Sequence, residues 1–368
     1  MLVNCQKLTD RINPWWLDLH HPTLSGDTLE TTSTSHTVFR SCLDGARLGL
    51  GGAALGNLYQ PVPDAQVRAL LDAAWDDGCR SFDTAPHYGH GLSERRMGDA
   101  LRQHPRPALS LSSKVGRLLT PDPQAPAAQH GFVQTLPFVQ RWDFSAAGMR
   151  RSIEDSLQRL GMACLDTVFI HDMDAHTQGE RAEAVWRQVL DEALPALARL
   201  KAEGLLRHVG LGVNDHEVVL RLLQHADLDA VLLAGRYTLL DTTALPMLMP
   251  MLQRRGVALA LGGVFNSGML ATRIDTARTL TFNYAPAQQV WIERALRLQG
   301  VCDRHGVPIE AAALQFALHH PATALVLLGA RSLQEWHHAR QAARIAIPPG
   351  LWAELRHEQL LPEEAPTP

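Results

Sequence analysis

The sequence predicts an α/β protein built on a parallel sheet, and three observations lead there. Eight short apolar runs recur along the chain, at 46–51, 79–83, 109–114, 165–170, 207–212, 228–233, 257–262 and 323–329. Stretches with helical periodicity lie between them, among them 64–77, 145–160, 180–203, 215–226 and 287–305. Connections of that length make successive strands pair in parallel, because a short hairpin cannot join them. No low-complexity linker divides the body, so one domain is expected. Eight such units can close into a (β/α)8 barrel. A doubly wound open sheet has the same local pattern, and periodicity alone leaves both architectures open.

The ends of the chain depart from this rhythm. Residues 1–36 are polar and rich in Thr, Ser and His, and read as a loosely ordered leader before a domain spanning 37–368. Removing residues 1–35 is expected to leave activity and thermal midpoint nearly unchanged, unless Trp15 and Trp16 dock on the body. A β-hairpin is predicted next, with arms 37–42 and 46–50 around a turn at Asp44-Gly45. Near the other end, 308–319 reads as a helix beyond what the bare repeat requires.

Composition narrows the class of function. Net charge is −4 and no Lys/Arg run exceeds two residues, so a basic nucleic-acid footprint is missing. No apolar stretch approaches the roughly 18 residues of a membrane span, and the N-terminus lacks the pattern of a secretory signal. Five scattered cysteines, odd in number and without CxxC, suit reduced thiols in a cytoplasm. There is no HExxH, and the histidines show no zinc-site spacing, so no metal is expected.

One motif invites a wrong turn. Gly49-Leu50-Gly51-Gly52-Ala53-Ala54 matches a dinucleotide fingerprint after a strand. That fingerprint works by feeding a tight turn directly into a helix whose N-terminus holds pyrophosphate. Here Pro61 and Pro63 intervene and no helical periodicity starts before Asp64. Small residues packed at the mouth of a barrel explain the run better.

The chemistry gathers at four strand ends. FDTAPHYG (82–89) follows the second strand, with GLSE (91–94) opening a helix; SSK (112–114) ends the third, and FIHD (169–172) the fourth. Asp83, Tyr88, Lys114 and His171 therefore fall together on one rim. Each alone has a plain reading as a cap, a rim aromatic, a solvated cation or a satisfied polar residue. Together they suit hydride transfer at a carbonyl or carbinol carbon. Such transfer needs a group that exchanges the oxygen's proton, and a tyrosine of ordinary pKa near 10 is a poor base at neutrality. A neighbouring ammonium lowers that pKa, a carboxylate holds the ammonium charged, and a neutral imidazole can orient the substrate oxygen.

With these residues in view, the sequence resembles the aldo-keto reductase superfamily over essentially residues 38–345. FDTAPHYG-x-G-x-SE, the SSK strand end and RRSIEDSLQRLG-x-x-x-LDTVFIHD carry the resemblance. It implies a closed (β/α)8 barrel, an NAD(P) cofactor and a catalytic tetrad of Asp83, Tyr88, Lys114 and His171. KVGRLLTP, HDMDAHTQG, GLGVND and GGVFNSGML resemble a branch that contains D-threo-aldose 1-dehydrogenases and pyridoxal 4-dehydrogenases.

Departures from the family pattern bear on the cofactor. Gly212-Val213 stand where many members have Ser-Asn, so Asn214 is expected to hold the carboxamide, the competing reading being a helix cap. The tyrosine that commonly stacks on nicotinamide is replaced by the stretch 261–265, leaving Phe265 or Tyr237 as candidates. Asn266, Ser267 and Gly268 are expected near pyrophosphate, with Gly52 and the 329–331 turn (Gly329, Ala330, Arg331) completing the cofactor contacts. Where NADP-binding members place a Lys and an Arg against the 2′-phosphate, this chain has Gly329 and Glu335. NAD is therefore expected, with Arg331 the one feature favouring NADP.

The resemblance thus implies a monomer or small homo-oligomer that oxidises an aldose at its anomeric carbon to a lactone. The loop containing Tyr59 and an insertion at 116–144 containing Trp142 are expected to shape the substrate pocket, with Tyr237 a further contact. Pyridoxal oxidation, NADPH-dependent aldehyde reduction and a cofactor-sensing regulatory subunit are the alternatives.

Overall fold

A computed structural model describes residues 38–42 and 44–368, so the leader lies outside the described residues. Eight parallel strands close into a barrel: β1 (Leu48–Gly51), β2 (Ser81–Asp83), β3 (Ser110–Val115), β4 (Leu165–His171), β5 (Leu206–Val213), β6 (Ala230–Ala234), β7 (Ala258–Gly262) and β8 (Thr323–Gly329). The hydrogen-bonded order runs β1-β8-β7-β6-β5-β4-β3-β2 and returns to β1. All eight expected strands are present, and β3 and β4 are buried at every position, as strands covered on both faces must be.

Helices follow where the periodicity places them. They are α1 (Asp64–Asp76), α2 (Leu92–Leu101), α3 (Ala146–Leu160), the composite α4 (182–202), α5 (His216–Leu222), α6 (Leu248–Arg255), α7 (Gln289–Arg304), α8 (Ile309–His319), α9 (Leu333–Ala342) and α10 (Pro349–His357). Helix α4 passes through a π-helical turn at Val189–Ala193. Helix α3 begins at Ser145, whose side chain accepts from the Gly148 amide, and stops at Gly161 in the left-handed region. The expected extra helix is α8. Among the described helices none is long and apolar enough to cross a membrane.

The predicted hairpin does not form. A turn is made at Asp44-Gly45, where the Cys42 amide donates to the Ala46 carbonyl and the Gly45 amide to that of Cys42. Residues 38–42 are not a strand, because β1 has no free edge: β2 pairs with one side and β8 with the other. Val38 and Phe39 turn inward instead. They pack with Phe169, Leu232, Leu325 and Leu327 as the apolar filling of the barrel interior. Arg40 is held there by Ser81, whose hydroxyl accepts from its amide and donates to its carbonyl. The opposite, C-terminal mouth of the barrel is left for chemistry.

The insertion after β3 is an antiparallel hairpin whose arms, Arg117–Pro121 and Phe138–Trp142, pair in register from Arg117 with Trp142 to Pro121 with Phe138. A second, smaller hairpin joins Thr281–Phe282 to Ala285–Pro286 in the loop between β7 and α7.

Candidate active site

Strand register brings the four expected residues to one place. Asp83 pairs with Ser112, and Lys114 lies two residues further along β3 on the same face. The Lys114 ammonium donates to Asp83 Oδ2 at 2.6 Å and to the Thr84 carbonyl at 2.9 Å, while Ser112 donates to the other Asp83 oxygen at 2.7 Å. Both charges are almost fully buried, so each depends on the other and on these polar neighbours. Lys114 Nζ also lies 4.7 Å from the centre of the Tyr88 ring. His171, at the end of β4 beside Gly212 of β5, faces the Tyr88 ring edge-on with centroids 6.3 Å apart.

Tyr88 is set by a close approach of two loops. A β-carbon on Gly56 would meet the Tyr88 carbonyl carbon at 2.5 Å, so the first loop can press against this backbone only with glycine there. The Ser93 amide donates to the Tyr88 carbonyl, tying the turn to the start of α2. Behind it, Glu94 is completely buried and accepts from Ser113 and from Arg159 of α3.

The electrostatics assign protonation states. Burial works against the Lys114 charge, but Asp83 and Tyr88 outweigh it and hold its pKa above the ordinary value. Burial raises the Tyr88 phenol above 10, with Lys114 pulling the other way. The expectation that the ammonium lowers this pKa on balance is corrected: desolvation of the phenol outweighs it. His171 is pushed well below its usual range by burial, then by Arg117 and Lys114, and is a neutral imidazole. The resting site is thus ammonium, neutral phenol and neutral imidazole.

These groups open onto a cleft of about 340 Å³ at the barrel mouth. Tyr88, Lys114 and His171 form its floor, while Tyr59, Asn214 and Tyr284 are among its other walls. Tyr59 is thereby placed at the rim as expected. Asn214 is free to face the cleft, because the cap of α5 is Asp215, which accepts from the Glu217 amide.

Three expected contacts are corrected. Gly52 does not line the cleft: it is wedged between β2 and α2, where a β-carbon would meet Ser93 Oγ at 2.6 Å and the Asp83 carbonyl at 2.8 Å. Trp142 is sandwiched instead of facing substrate, with the Arg117 guanidinium 3.9 Å from its ring centre and Phe144 stacked on it at 5.7 Å. Tyr237 is fully buried against Phe316 and His320, away from the cleft. Phe265 packs against the core, and Tyr284, carried by the small hairpin and missed in the sequence, joins Tyr59, Tyr88 and Phe132 at the mouth. His87, Phe132 and Asp172 also line the cleft unforeseen, although His87 and Asp172 sit inside the motifs that carried the resemblance.

The remaining expected residues lie on loops after β7 and β8. Asn266 and Ser267 have left-handed backbones, and a β-carbon on Gly268 would meet nothing within 4 Å. Asn266 is buried, and its Oδ1 has no partner among the described residues. An orphaned buried acceptor is costly without a ligand, so this loop fits a bound polar group. Gly329 is open on its side-chain face, Ala330 is buried, and Ser332 caps α9. Arg331 is engaged by Glu335, whose carboxylate accepts from its guanidinium and from its backbone amide, each at 2.8 Å.

A closed eight-stranded barrel with a lysine–carboxylate pair, a tyrosine and an imidazole at its C-terminal mouth has a counterpart among known proteins. Residues 47–357 match the model of the aldo/keto reductase family. The chain belongs to that family. It is an NAD(P)-dependent oxidoreductase. It is 40% identical over 339 residues to pyridoxal 4-dehydrogenase of Microbacterium luteolum, spanning 89% of this chain and 98% of that protein. It is 37% identical over 320 residues to D-threo-aldose 1-dehydrogenase of a Pseudomonas species, spanning 86% and 94% respectively. Among solved structures, the glycerol dehydrogenase of Gluconobacter oxydans superposes with a TM-score of 0.67 at 22% identity, covering 88% of this chain and 93% of that one, a likeness of fold.

Proposed function

We propose that this reductase-family enzyme oxidises a cyclic hemiacetal to a lactone, with Tyr88 as the proton acceptor and an aldose of the D-threo type as substrate. The observation that carries the proposal is the buried chain Asp83–Lys114–Tyr88, opening beside the neutral imidazole of His171. Asp83 keeps Lys114 charged. Lys114 makes a Tyr88 phenolate attainable despite its burial, and Tyr88 takes the hydroxyl proton. His171, being neutral, donates to the same oxygen and holds it in line. NAD, when bound, would supply the hydride acceptor. Asn214 would hold the carboxamide, the 266–268 loop the pyrophosphate, and the 329–332 turn the adenosine end. Gly329 and the Arg331–Glu335 pair favour NAD over NADP, because Glu335 already neutralises Arg331.

A second reading has its own support. The rings of His87, Tyr88 and Phe132 lie within about 6 Å of one another, and Tyr59 and Tyr284 flank the same cleft. A flat aromatic hemiacetal such as that of pyridoxal suits these walls, as does the C–H face of a sugar.

NAD and NADP reduction measured with L-fucose, D-arabinose, L-galactose, D-galactose and pyridoxal tests both readings. A specificity constant highest for an aldose supports the first, and one highest for pyridoxal replaces it with the second. Cofactor binding without turnover of any hemiacetal or aldehyde sinks both in favour of a sensing role.

A further inference from the structure

The insertion hairpin sends two polar side chains back toward the cleft, and they join the two imidazoles there. Arg117 donates to Asp172 at 2.6 Å and to Gln140 Oε1 at 3.2 Å. Asp172 Oδ2 lies 3.4 Å from His171 Nε2. At the other end, the Gln140 amide nitrogen is 2.9 Å from His87 Nδ1 and 3.4 Å from the His87 carbonyl. An arc His87–Gln140–Arg117–Asp172–His171 thus frames one side of the substrate space.

At His87 the arc ends on one ring nitrogen. Nδ1 lies 2.9 Å from the Gln140 amide nitrogen and 3.0 Å from its oxygen. Burial and then Arg117 push His87 well below its usual pKa, so the ring is neutral. His87 lines the cleft, and its Nε2 has no partner among the described residues. With Nδ1 held by Gln140, the site keeps a neutral imidazole nitrogen that the proton chemistry does not use, 5.9 Å from His171 ring to ring.

We infer that His87 is a specificity residue: its Nε2 hydrogen-bonds the hydroxyl on the carbon next to the one being oxidised, and Gln140 and Arg117 act as positioning residues. The inference rests on the hemiacetal reading above. The reacting oxygen is already served by Tyr88 and His171, so a further polar group finds its partner in the neighbouring hydroxyl, which both donates and accepts. Recognition of a hydroxyl by an oriented polar group discriminates strongly, because the analogue without it leaves that group unpaired.

The test is a cycle between protein and substrate. Wild type, His87→Phe and His87→Gln are assayed for NAD reduction with L-fucose and 2-deoxy-L-fucose. Thermal midpoint and NAD affinity serve as folding controls. The wild type is expected to favour the hydroxylated substrate by tenfold or more in kcat/KM, about 1.4 kcal/mol. His87→Phe is expected to lose most of that preference. His87→Gln, which returns an amide N–H, recovers part of it. Gln140→Leu is expected to weaken the preference through KM more than through kcat. A wild type indifferent to the neighbouring hydroxyl, or a His87→Phe variant that keeps the full preference, overturns the inference and leaves the hemiacetal reading standing. A wild type that reduces aldehydes yet oxidises no hemiacetal overturns the functional reading and this inference with it.

Discussion

The two sides of the barrel mouth are built on opposite plans. On the side of β2, β3 and β4, the charged groups are already held by others: Lys114 by Asp83 and Thr84, Glu94 by Ser113 and Arg159, Arg117 by Asp172 and Gln140. On the side of β7 and β8, Asn266 keeps a buried acceptor without a partner, and Gly268 and Gly329 present open faces. The first side is organised before anything binds, as groups that tune a proton must be. The second leaves the Asn266 acceptor free for a ligand to satisfy. On the proposed function, the difference separates proton chemistry from cofactor capture within one rim. Substitutions on the two sides should therefore fail in different ways.

The largest effect is expected at Tyr88. Tyr88→Phe removes one oxygen at the floor of the cleft and should leave fold and NAD affinity intact. Loss of the proton acceptor typically costs about 10² to 10⁴ in rate. Single-turnover rates with NAD affinity measured alongside decide the matter. A variant retaining more than about a tenth of wild-type turnover rules out this role for Tyr88.

Lys114→Met comes next, and its signature is a pH profile. Burial raises the Tyr88 pKa and Lys114 offsets part of that rise, so removing the ammonium must move the pKa further upward. On the proposed mechanism, oxidation requires the phenolate. Its kcat/KM should climb with pH through the Tyr88 pKa in the wild type, and the climb should start at higher pH in Lys114→Met. An unmoved inflection would mean that Lys114 acts on something other than Tyr88.

How much of this rim could be read from the chain follows the same division. The eight strands were legible because parallel strands buried on both faces leave uninterrupted apolar runs, such as LDTVFI before His171. Asp83, Tyr88, Lys114 and His171 were legible because each sits at a fixed offset from a strand end, and barrel register turns that offset into proximity. Trp142 and Tyr237 were misread because a sequence names an aromatic without saying which way it faces. Arg117 claims the first, and Phe316 with His320 the second. Gly52 was assigned to a cofactor when the approach it permits is that of α2 to β2. The arc through Gln140 left no signal, since it depends on a hairpin arm meeting a loop 53 residues away in the chain.

On the cofactor side, Asn266→Ala should weaken NAD binding while leaving the pH profile of turnover where it was. One neutral hydrogen bond is worth about 0.5–1.5 kcal/mol, so Kd should rise roughly three- to tenfold. Titration of NAD into both proteins reads this directly. If the pH inflection moves with Asn266, the two sides of the mouth are coupled and the separation argued above fails.

The smallest effect is expected at Glu335, and it concerns which cofactor is chosen. Glu335 and Arg331 are both half-exposed, so solvent screens their pairing. Yet the carboxylate does two things at once: it takes up the guanidinium, and it accepts from the Arg331 backbone amide at 2.8 Å. Both donors would otherwise be available to a phosphate at the N-terminus of α9. Glu335→Gln removes the negative charge while keeping a side chain of the same shape. The ratio of kcat/KM for NAD to that for NADP should then fall by about fivefold, the upper end of what an exposed ion pair contributes. The shift should shrink as ionic strength rises, because it arises from charges near the surface. A wild type that already prefers NADP tenfold would overturn the assignment of Glu335. An unchanged ratio in the variant would mean that Gly329, by lacking a cation, sets the preference alone.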